Sequence, residues 1–282
     1  MSPCPGCPEP LSGPGCNRRG SKGKEGARPP GARLALIRGS EGKADAHAEA
    51  ERVVILHLGA GGVGGLFGAR LLQAGCDVSF IARGAHLEAL QSDGLRVDSE
   101  AHGVLHLREV VASDDPAQLG VADYVLISVK LADSEAAARL VKPVVGPKTT
   151  VISLQNGVTK DEVLWREYGH AAVVGGVAYV GAYIDRPGVI HQIGSMQGIS
   201  VGEYDGQRSE RVEKLAAELK RAGVKAHISD DIRRTIWEKF VLLVGLSGAT
   251  TAMRSSIGPI RANARSRAFL LQLMAEVVAV GR

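Results

Sequence analysis

Apolar residues follow a regular pattern in this chain only after residue 51. Four buried strands are predicted from continuous or alternating apolar runs, at residues 53–58, 77–82, 124–129 and 149–154. His57 interrupts the first run and is expected to be a packed core histidine. Helical periodicity lies between the strands, at residues 66–73, 86–91 and 133–141. Strands that alternate with helices at this spacing predict a parallel α/β sheet.

The second half of the chain changes from strands to helices. Further strands are predicted at residues 173–182, 188–193 and 199–202, followed by an amphipathic helix over residues 210–222. From Asp231 onward only helices are expected, over residues 232–246 and 261–280. The predicted organisation is therefore an α/β domain over residues 52–230 and the beginning of an all-helical domain over residues 231–282. We expect the last helix to leave an apolar face exposed.

Residues 1–51 differ in composition from the remainder. They hold seven of the twelve prolines and nine of the thirty-six glycines, with little apolar periodicity. A segment of this kind buries too little surface to offset its chain entropy, so a disordered extension is predicted. Its Cys4-Pro5-Gly6-Cys7 pair lacks the further ligands of a zinc site and the helix of a redox site, and no metal is expected.

Composition excludes two classes of partner. The formal net charge is only +4 and is spread along the chain, whereas nucleic-acid binding usually needs a concentrated basic stripe. The longest apolar run, residues 240–246, is far shorter than the ~20 residues that span a bilayer. We therefore expect a cytoplasmic protein with a small-molecule substrate, no nucleic-acid partner and no membrane partner.

A glycine-rich turn after the first strand carries the strongest chemical signal. It fits the pattern GxGxxG, follows a buried strand and opens a helix, which is the context that dinucleotide binding requires. The first glycine permits the tight turn, the second lets the backbone approach a pyrophosphate, and the third lets the helix pack closely on the strand. The predicted cofactor-binding residues of this Rossmann-type motif are Gly59, Ala60, Gly61, Gly62, Val63 and Gly64.

The end of the second predicted strand selects the cofactor. Sites specific for NAD place an acidic residue about 20 residues after the turn, where it binds the ribose 2′-hydroxyl. This chain has no carboxylate there and has Arg83 instead. An arginine can form charge-assisted hydrogen bonds with a 2′-phosphate, so NADP(H) is favoured over NAD(H); a solvated arginine is the alternative.

Several separate motifs together resemble the ketopantoate reductase (2-dehydropantoate 2-reductase) family. They are residues 58–83, Lys130 just after a buried strand, Gln155-Asn156-Gly157, and residues 231–239 with Trp237-Glu238-Lys239-Phe240. The resemblance extends over nearly everything from Arg52 onward. The glycine-rich turn is shared with many dehydrogenases, whereas the combination of the lysines with Asn156-Gly157 is much more specific.

The resemblance implies a reaction and a role for each residue. The reaction is the NADPH-dependent reduction of ketopantoate to pantoate in pantothenate and coenzyme A biosynthesis. Lys130 would hold the cofactor phosphates beside Arg83, and the backbone around Gly181 would line the nicotinamide pocket. Asn156 would contact both nicotinamide ribose and substrate, and Lys239 would be the catalytic proton donor. A lysine on an apolar helix face also has the lowered pKa that suits proton transfer.

The chain departs from the family pattern at two places. Where many members carry asparagines one and two turns after the lysine, this chain has Leu243 and Ser247, of which only Ser247 could hydrogen-bond the substrate. The helical domain is also expected to be truncated at its C-terminus. Two alternative functions therefore stay open: a dehydrogenase of a related 2-keto acid or of a 3-hydroxy acid, and a fragment that binds NADPH without catalysis. A homodimer also stays open.

Overall fold

The computed structural model describes residues 52–282, and the predicted extension with its Cys4-Cys7 pair lies outside the described residues. Ten strands within residues 52–282 form one sheet. In chain order they are β1 (Val54–Leu58), β2 (Asp77–Ile81), β3 (Leu95–Ser99), β4 (Gly103–Leu107), β5 (Val111–Ser113), β6 (Ala122–Ile127), β7 (Val145–Ser153), β8 (Val173–Arg186), β9 (Val189–Gly202) and β10 (Lys225–Ile228).

The centre of the sheet has the strand order of a doubly wound fold. The strands β5, β2, β1, β6, β7 and β8 lie side by side and are all parallel. The order reverses between β1 and β6, where the chain crosses from one side of the sheet to the other. Open α/β sheets bind their ligands at such a switch point, beyond the carboxyl ends of the strands.

A long hairpin extends this parallel sheet. β8 pairs antiparallel with β9 over nearly their whole length, with register shifts at Val180/Gly181 and at Ile184/Arg186. β9 in turn pairs parallel with β3 and with β10, and β3 pairs antiparallel with β4. The sequence pattern predicts three shorter strands over this region, and the structure shows two strands of 14 residues each.

Eight α-helices complete the described part of the chain. They are α1 (Gly62–Gln73), α2 (Gly84–Ser92), α3 (Ser134–Leu140), α4 (Glu162–Tyr168), α5 (Glu210–Arg221), α6 (Ile232–Met253), α7 (Ile257–Ala262) and α8 (Ala264–Gly281). The Asp231 side chain caps α6 by accepting a hydrogen bond from the Arg234 N–H. Every described element after β10 is helical. No helix within residues 52–282 is long and apolar enough to cross a membrane.

The core around the sheet is well buried, whereas the last helix is largely exposed. The main core joins the central strands to α1 and α5, and it includes Phe67 and Phe80, both fully buried. His57 is also fully buried and stacks on Phe80; burial lowers its pKa to about 3, so it is a neutral core histidine as predicted. The apolar face expected on the last helix is exposed: Leu271 is 58% and Val280 80% accessible.

The predicted fold class, a Rossmann-type α/β domain followed by helices, is therefore confirmed. Further details differ from the sequence pattern. α6 extends to Met253 instead of ending at residue 246, and the helix predicted over residues 261–280 is divided into α7 and α8. α1 begins at Gly62 instead of Leu66, because the glycine-rich turn itself supplies the first helical turn. α4 and β10, of seven and four residues, are too short to show a periodicity, and the sequence pattern does not predict them.

Candidate functional site

The glycine-rich turn joins β1 to α1 at the carboxyl edge of the sheet. Gly59 has a φ of +95°, a backbone conformation that glycine adopts without strain. A Cβ on Gly64 would lie 2.1 Å from the Gly59 carbonyl oxygen, so the start of α1 can approach β1 only because this residue is glycine. A Cβ on Gly62 would lie 2.2 Å from the carbonyl oxygen of Ala182 in β8. Two of the glycines therefore serve internal packing.

Gly61 is different, because its missing side chain faces open space. A Cβ built there meets no protein atom within 4 Å. Internal packing therefore does not explain a glycine at this position, whereas close approach of a ligand to the backbone would. Gly61 is also the N-cap of α1, so the N–H groups at the start of α1 emerge beside it. The turn thus fits a dinucleotide pyrophosphate.

Arg83 ends the loop after β2 and forms the N-cap of α2 with an exposed side chain. β2 is the direct neighbour of β1 in the sheet, so Arg83 and the glycine-rich turn share the carboxyl edge. Its guanidinium is free of any capping hydrogen bond to α2. The predicted cofactor-selecting arginine is therefore at the correct edge, one strand away from the turn.

Lys130 lies at the same edge, just after β6 on the other side of β1. Its side chain is exposed, while its backbone is held by the buried amide of Gln155. The Gln155 Nε2 donates to the carbonyl oxygens of Val129 at 3.0 Å and Lys130 at 3.2 Å. Gln155 thereby couples the Lys130 segment to the segment that carries Asn156. The sequence showed Gln155 only as part of a motif and indicated no role for it.

The structure brings Asn156 and Lys239 together although they are 83 residues apart. The Lys239 ammonium donates to Asn156 Oδ1 at 2.8 Å and to the Ala178 carbonyl oxygen in β8 at 2.5 Å. It also lies 5.7 Å from the centre of the Tyr179 ring. A lysine of α6 is therefore aimed at the carboxyl edge of the sheet instead of extending into solvent.

Burial changes the acid–base behaviour of this lysine. Desolvation by burial, together with the nearby positive charge of Lys160, lowers the pKa of Lys239 to about 8. A lysine pKa of this size is close to the working range of a general acid. The sequence-based expectation of a lowered pKa is confirmed.

Lys160 itself is a buried charge that the sequence did not reveal as special. It is 1% exposed and donates to the Ser153 carbonyl oxygen at 2.9 Å and to Asp161 Oδ2 at 2.7 Å. The Tyr204 hydroxyl also hydrogen-bonds to Asp161. Burial lowers the pKa of Lys160 and the Asp161 carboxylate opposes that change. Lys160 bridges back to the end of β7 and so closes the loop that carries Asn156.

The two remaining predicted site residues, Gly181 and Ser247, lie in different parts of the structure. Gly181 is in β8, and the residue after it, Ala182, contacts Gly62 of the glycine-rich turn. Ser247 lies on α6 with an exposed side chain, two turns and about 12 Å of helix rise beyond Lys239. A small substrate that reached both Ser247 and Lys239 would have to extend along α6.

The strand order and the glycine-rich turn define a Rossmann-type dinucleotide-binding fold. Residues 55–206 match the family model described as "Ketopantoate reductase PanE/ApbA", and residues 231–282 match "Ketopantoate reductase PanE/ApbA C terminal". The chain belongs to the ketopantoate reductase family. It is therefore an enzyme of the oxidoreductase class that acts on CH–OH groups, and the family and fold support a nicotinamide cofactor.

Individual relatives agree with this assignment. The chain is 34% identical to a 2-dehydropantoate 2-reductase from Mesorhizobium japonicum over 244 residues, which cover 79% of this chain and 74% of that protein. The crystal structure of a 2-dehydropantoate 2-reductase from Geobacter metallireducens is similar with a TM-score of 0.75 and 32% identity, covering 81% of this chain and 75% of that one. A D-mandelate dehydrogenase in complex with NADH shares the fold, with a TM-score of 0.71 and 20% identity.

Proposed function

We propose that this chain reduces a 2-keto acid with NADPH, and that the substrate is ketopantoate, reduced to pantoate in pantothenate and coenzyme A biosynthesis. The observation that carries the proposal is the Lys239 ammonium, which lies within 2.8 Å of Asn156 at the carboxyl edge of the sheet. The reductases that this chain resembles support the choice of substrate.

The cofactor would be held along the edge of β2, β1 and β6. The turn at Gly59–Gly64 would take the pyrophosphate, Arg83 the 2′-phosphate, and Lys130 would add positive charge on the far side of the turn. Asn156 and the backbone at Gly181 would border the nicotinamide. When bound, the reduced nicotinamide supplies the hydride that the protein lacks.

Lys239 would supply the proton. Reduction places negative charge on the keto oxygen of the substrate, and an ammonium within hydrogen-bonding distance stabilises that charge and then donates a proton to it. The Asn156 amide and the Ala178 carbonyl hold the ammonium in place at 2.8 Å and 2.5 Å. Because burial brings the pKa of Lys239 to about 8, the proton is present at neutral pH and is readily transferred.

One residue of α6 favours a second candidate substrate. Leu243 is half-buried one turn after Lys239, where the family resemblance implies an asparagine that contacts the substrate. An apolar side chain there offers no hydrogen bond to the substrate hydroxyl, so a 2-keto acid with an apolar side chain would be accepted in place of ketopantoate. Comparing kcat/KM for the two substrates decides between them.

The cofactor assignment is tested by the variant Arg83→Ala, with the exposed Arg108→Ala as matched control. Loss of a charge-assisted bond to the 2′-phosphate, worth about 1.5–3 kcal/mol, should raise the Kd for NADPH about 10- to 150-fold. The Kd for NADH, which lacks this phosphate, should not change. Equal binding of NADH and NADPH by the wild type would contradict the assignment. The cytoplasmic localisation expected from the sequence is part of the proposal, and a homodimer stays open.

A further inference from the structure

His86, in the first turn of α2, forms two hydrogen bonds to distant backbone groups. Its Nε2 lies 2.8 Å from the carbonyl oxygen of Ala60 in the glycine-rich turn. Its Nδ1 lies 3.1 Å from the backbone nitrogen of Gly188, in the turn between β8 and β9. One imidazole ring therefore joins three segments of the chain that meet at the cofactor edge.

The two partners fix the protonation of the ring. A carbonyl oxygen can only accept a hydrogen bond and a backbone N–H can only donate one. The Nε2 must therefore carry the proton that is donated to Ala60, and the Nδ1 must offer a lone pair to Gly188. The neutral tautomer protonated at Nε2 is the one form of imidazole that satisfies both contacts.

Both partners are held in place by other contacts. Ala60 is 2% exposed. The Gly188 carbonyl oxygen accepts a hydrogen bond from the Arg96 N–H at 2.9 Å, and a Cβ on Gly188 would lie 3.0 Å from the Cβ of Ala89 in α2. His86 therefore links the glycine-rich turn to the turn between β8 and β9. A shift of the glycine-rich turn relative to that segment would break one of the two hydrogen bonds of His86.

The contact with Ala60 also determines the direction of an N–H group. The carbonyl of Ala60 and the N–H of Gly61 belong to one planar trans peptide, so they point in opposite directions. Glycine allows this peptide to rotate more freely than any other residue would. A hydrogen bond from His86 to the carbonyl therefore fixes the orientation of this peptide and aims the Gly61 N–H away from α2.

We propose that His86 is a positioning residue that holds the Ala60–Gly61 peptide in the orientation that binds the cofactor pyrophosphate. This inference rests on the proposed function, and it goes further by assigning a residue outside the glycine motif to cofactor binding. Because the pyrophosphate is common to NADPH and NADH, His86 acts on both nucleotides alike. Arg83, in contrast, acts on NADPH alone.

The test compares three variants by titrating NADPH and NADH against each. His86→Phe keeps a ring of similar size and removes both hydrogen bonds, whereas His86→Gln retains one donor and one acceptor. His106→Phe is the matched control, because the His106 Nε2 contacts a backbone carbonyl, that of Asp93, at 2.9 Å, outside the glycine-rich turn. Thermal unfolding of each variant separates binding from stability.

His86→Phe should raise the Kd for NADPH and the Kd for NADH by the same factor, about tenfold. The kcat at saturating NADPH should stay within about threefold of the wild type. His86→Gln should restore most of the affinity, and His106→Phe should bind as the wild type does. Unchanged affinity in His86→Phe, or a loss confined to NADPH, would overturn the inference. A wild type that binds neither nucleotide would instead refute the proposed function.

A second measurement needs no variant. Nitrogen-15 NMR of the cofactor-free wild type should show His86 as the neutral tautomer with the proton on Nε2. A proton on Nδ1 would be incompatible with the Gly188 contact and would overturn the inference even if His86→Phe failed to fold.

Discussion

Replacing Lys239 by methionine tests the chemical step of the proposed reaction. The substitution keeps the length and the apolar stem of the side chain and removes the ammonium that contacts Asn156 at 2.8 Å and Ala178 at 2.5 Å. A positioned general acid contributes about 10²- to 10⁴-fold to the rate. At about 1.36 kcal/mol per tenfold, this corresponds to a barrier that is higher by roughly 2.7–5.4 kcal/mol.

The assay follows the loss of NADPH absorbance at saturating substrate, together with a separate titration of NADPH binding. We expect kcat to fall by at least about 100-fold in Lys239→Met, while the Kd for NADPH stays within about threefold, because the phosphate-binding residues are on other elements. Lys214→Met, which removes an exposed lysine of α5, is the matched control and should keep wild-type turnover. A kcat for Lys239→Met within tenfold of the wild type would refute the role of Lys239.

Three further predictions follow from the geometry. Protonated Lys239 is the proton donor and its pKa is about 8, so kcat/KM for reduction should fall about tenfold per pH unit above pH 8. The kcat/KM for the reverse oxidation should rise over the same range. A profile for reduction that stays flat to about pH 10 would contradict this. Lys160→Met should lower the free energy of unfolding, measured in urea, by about 3–5 kcal/mol, because it leaves the Asp161 carboxylate buried without its cation. Adding Asp161→Leu should recover most of that loss. Equal losses in the single and double variants would be inconsistent with a buried pair. Gly64→Ala should destabilise the fold by about 1–3 kcal/mol, because its Cβ would clash with the Gly59 carbonyl oxygen. Gly61→Ala should leave thermal stability unchanged and weaken NADPH binding. A larger loss of stability in Gly61→Ala than in Gly64→Ala would contradict the division of roles between these glycines.

The parts of the fold that local sequence determines could be predicted. The turn at Gly59–Gly64 lies between a buried strand and a helix within a few residues, so its pattern alone indicates the structure. Arg83 could be placed for the same reason, since it follows the next strand directly. The long hairpin of β8 and β9 was predicted less well, because the register shift at Val180/Gly181 interrupts the alternation of apolar positions.

Contacts between distant segments could not be predicted from periodicity. The approach of Lys239 to Asn156 depends on how α6 packs on β8, and the sequence suggested it only through a family resemblance. The contact of His86 with Gly188 spans 102 residues, and the burial of Lys160 depends on the packing around it. A single histidine or lysine in a polar segment carries no signal of either environment, because most such residues are solvated.

The central claim is that this chain couples NADPH to the reduction of a 2-keto acid. The most direct measurement mixes the purified chain with NADPH and ketopantoate, follows the absorbance, and identifies the product. We predict that NADPH is consumed in proportion to the pantoate formed, with a higher kcat/KM than with NADH. Clear binding of NADPH with no turnover of ketopantoate or of any 2-keto acid with an apolar side chain would contradict the claim.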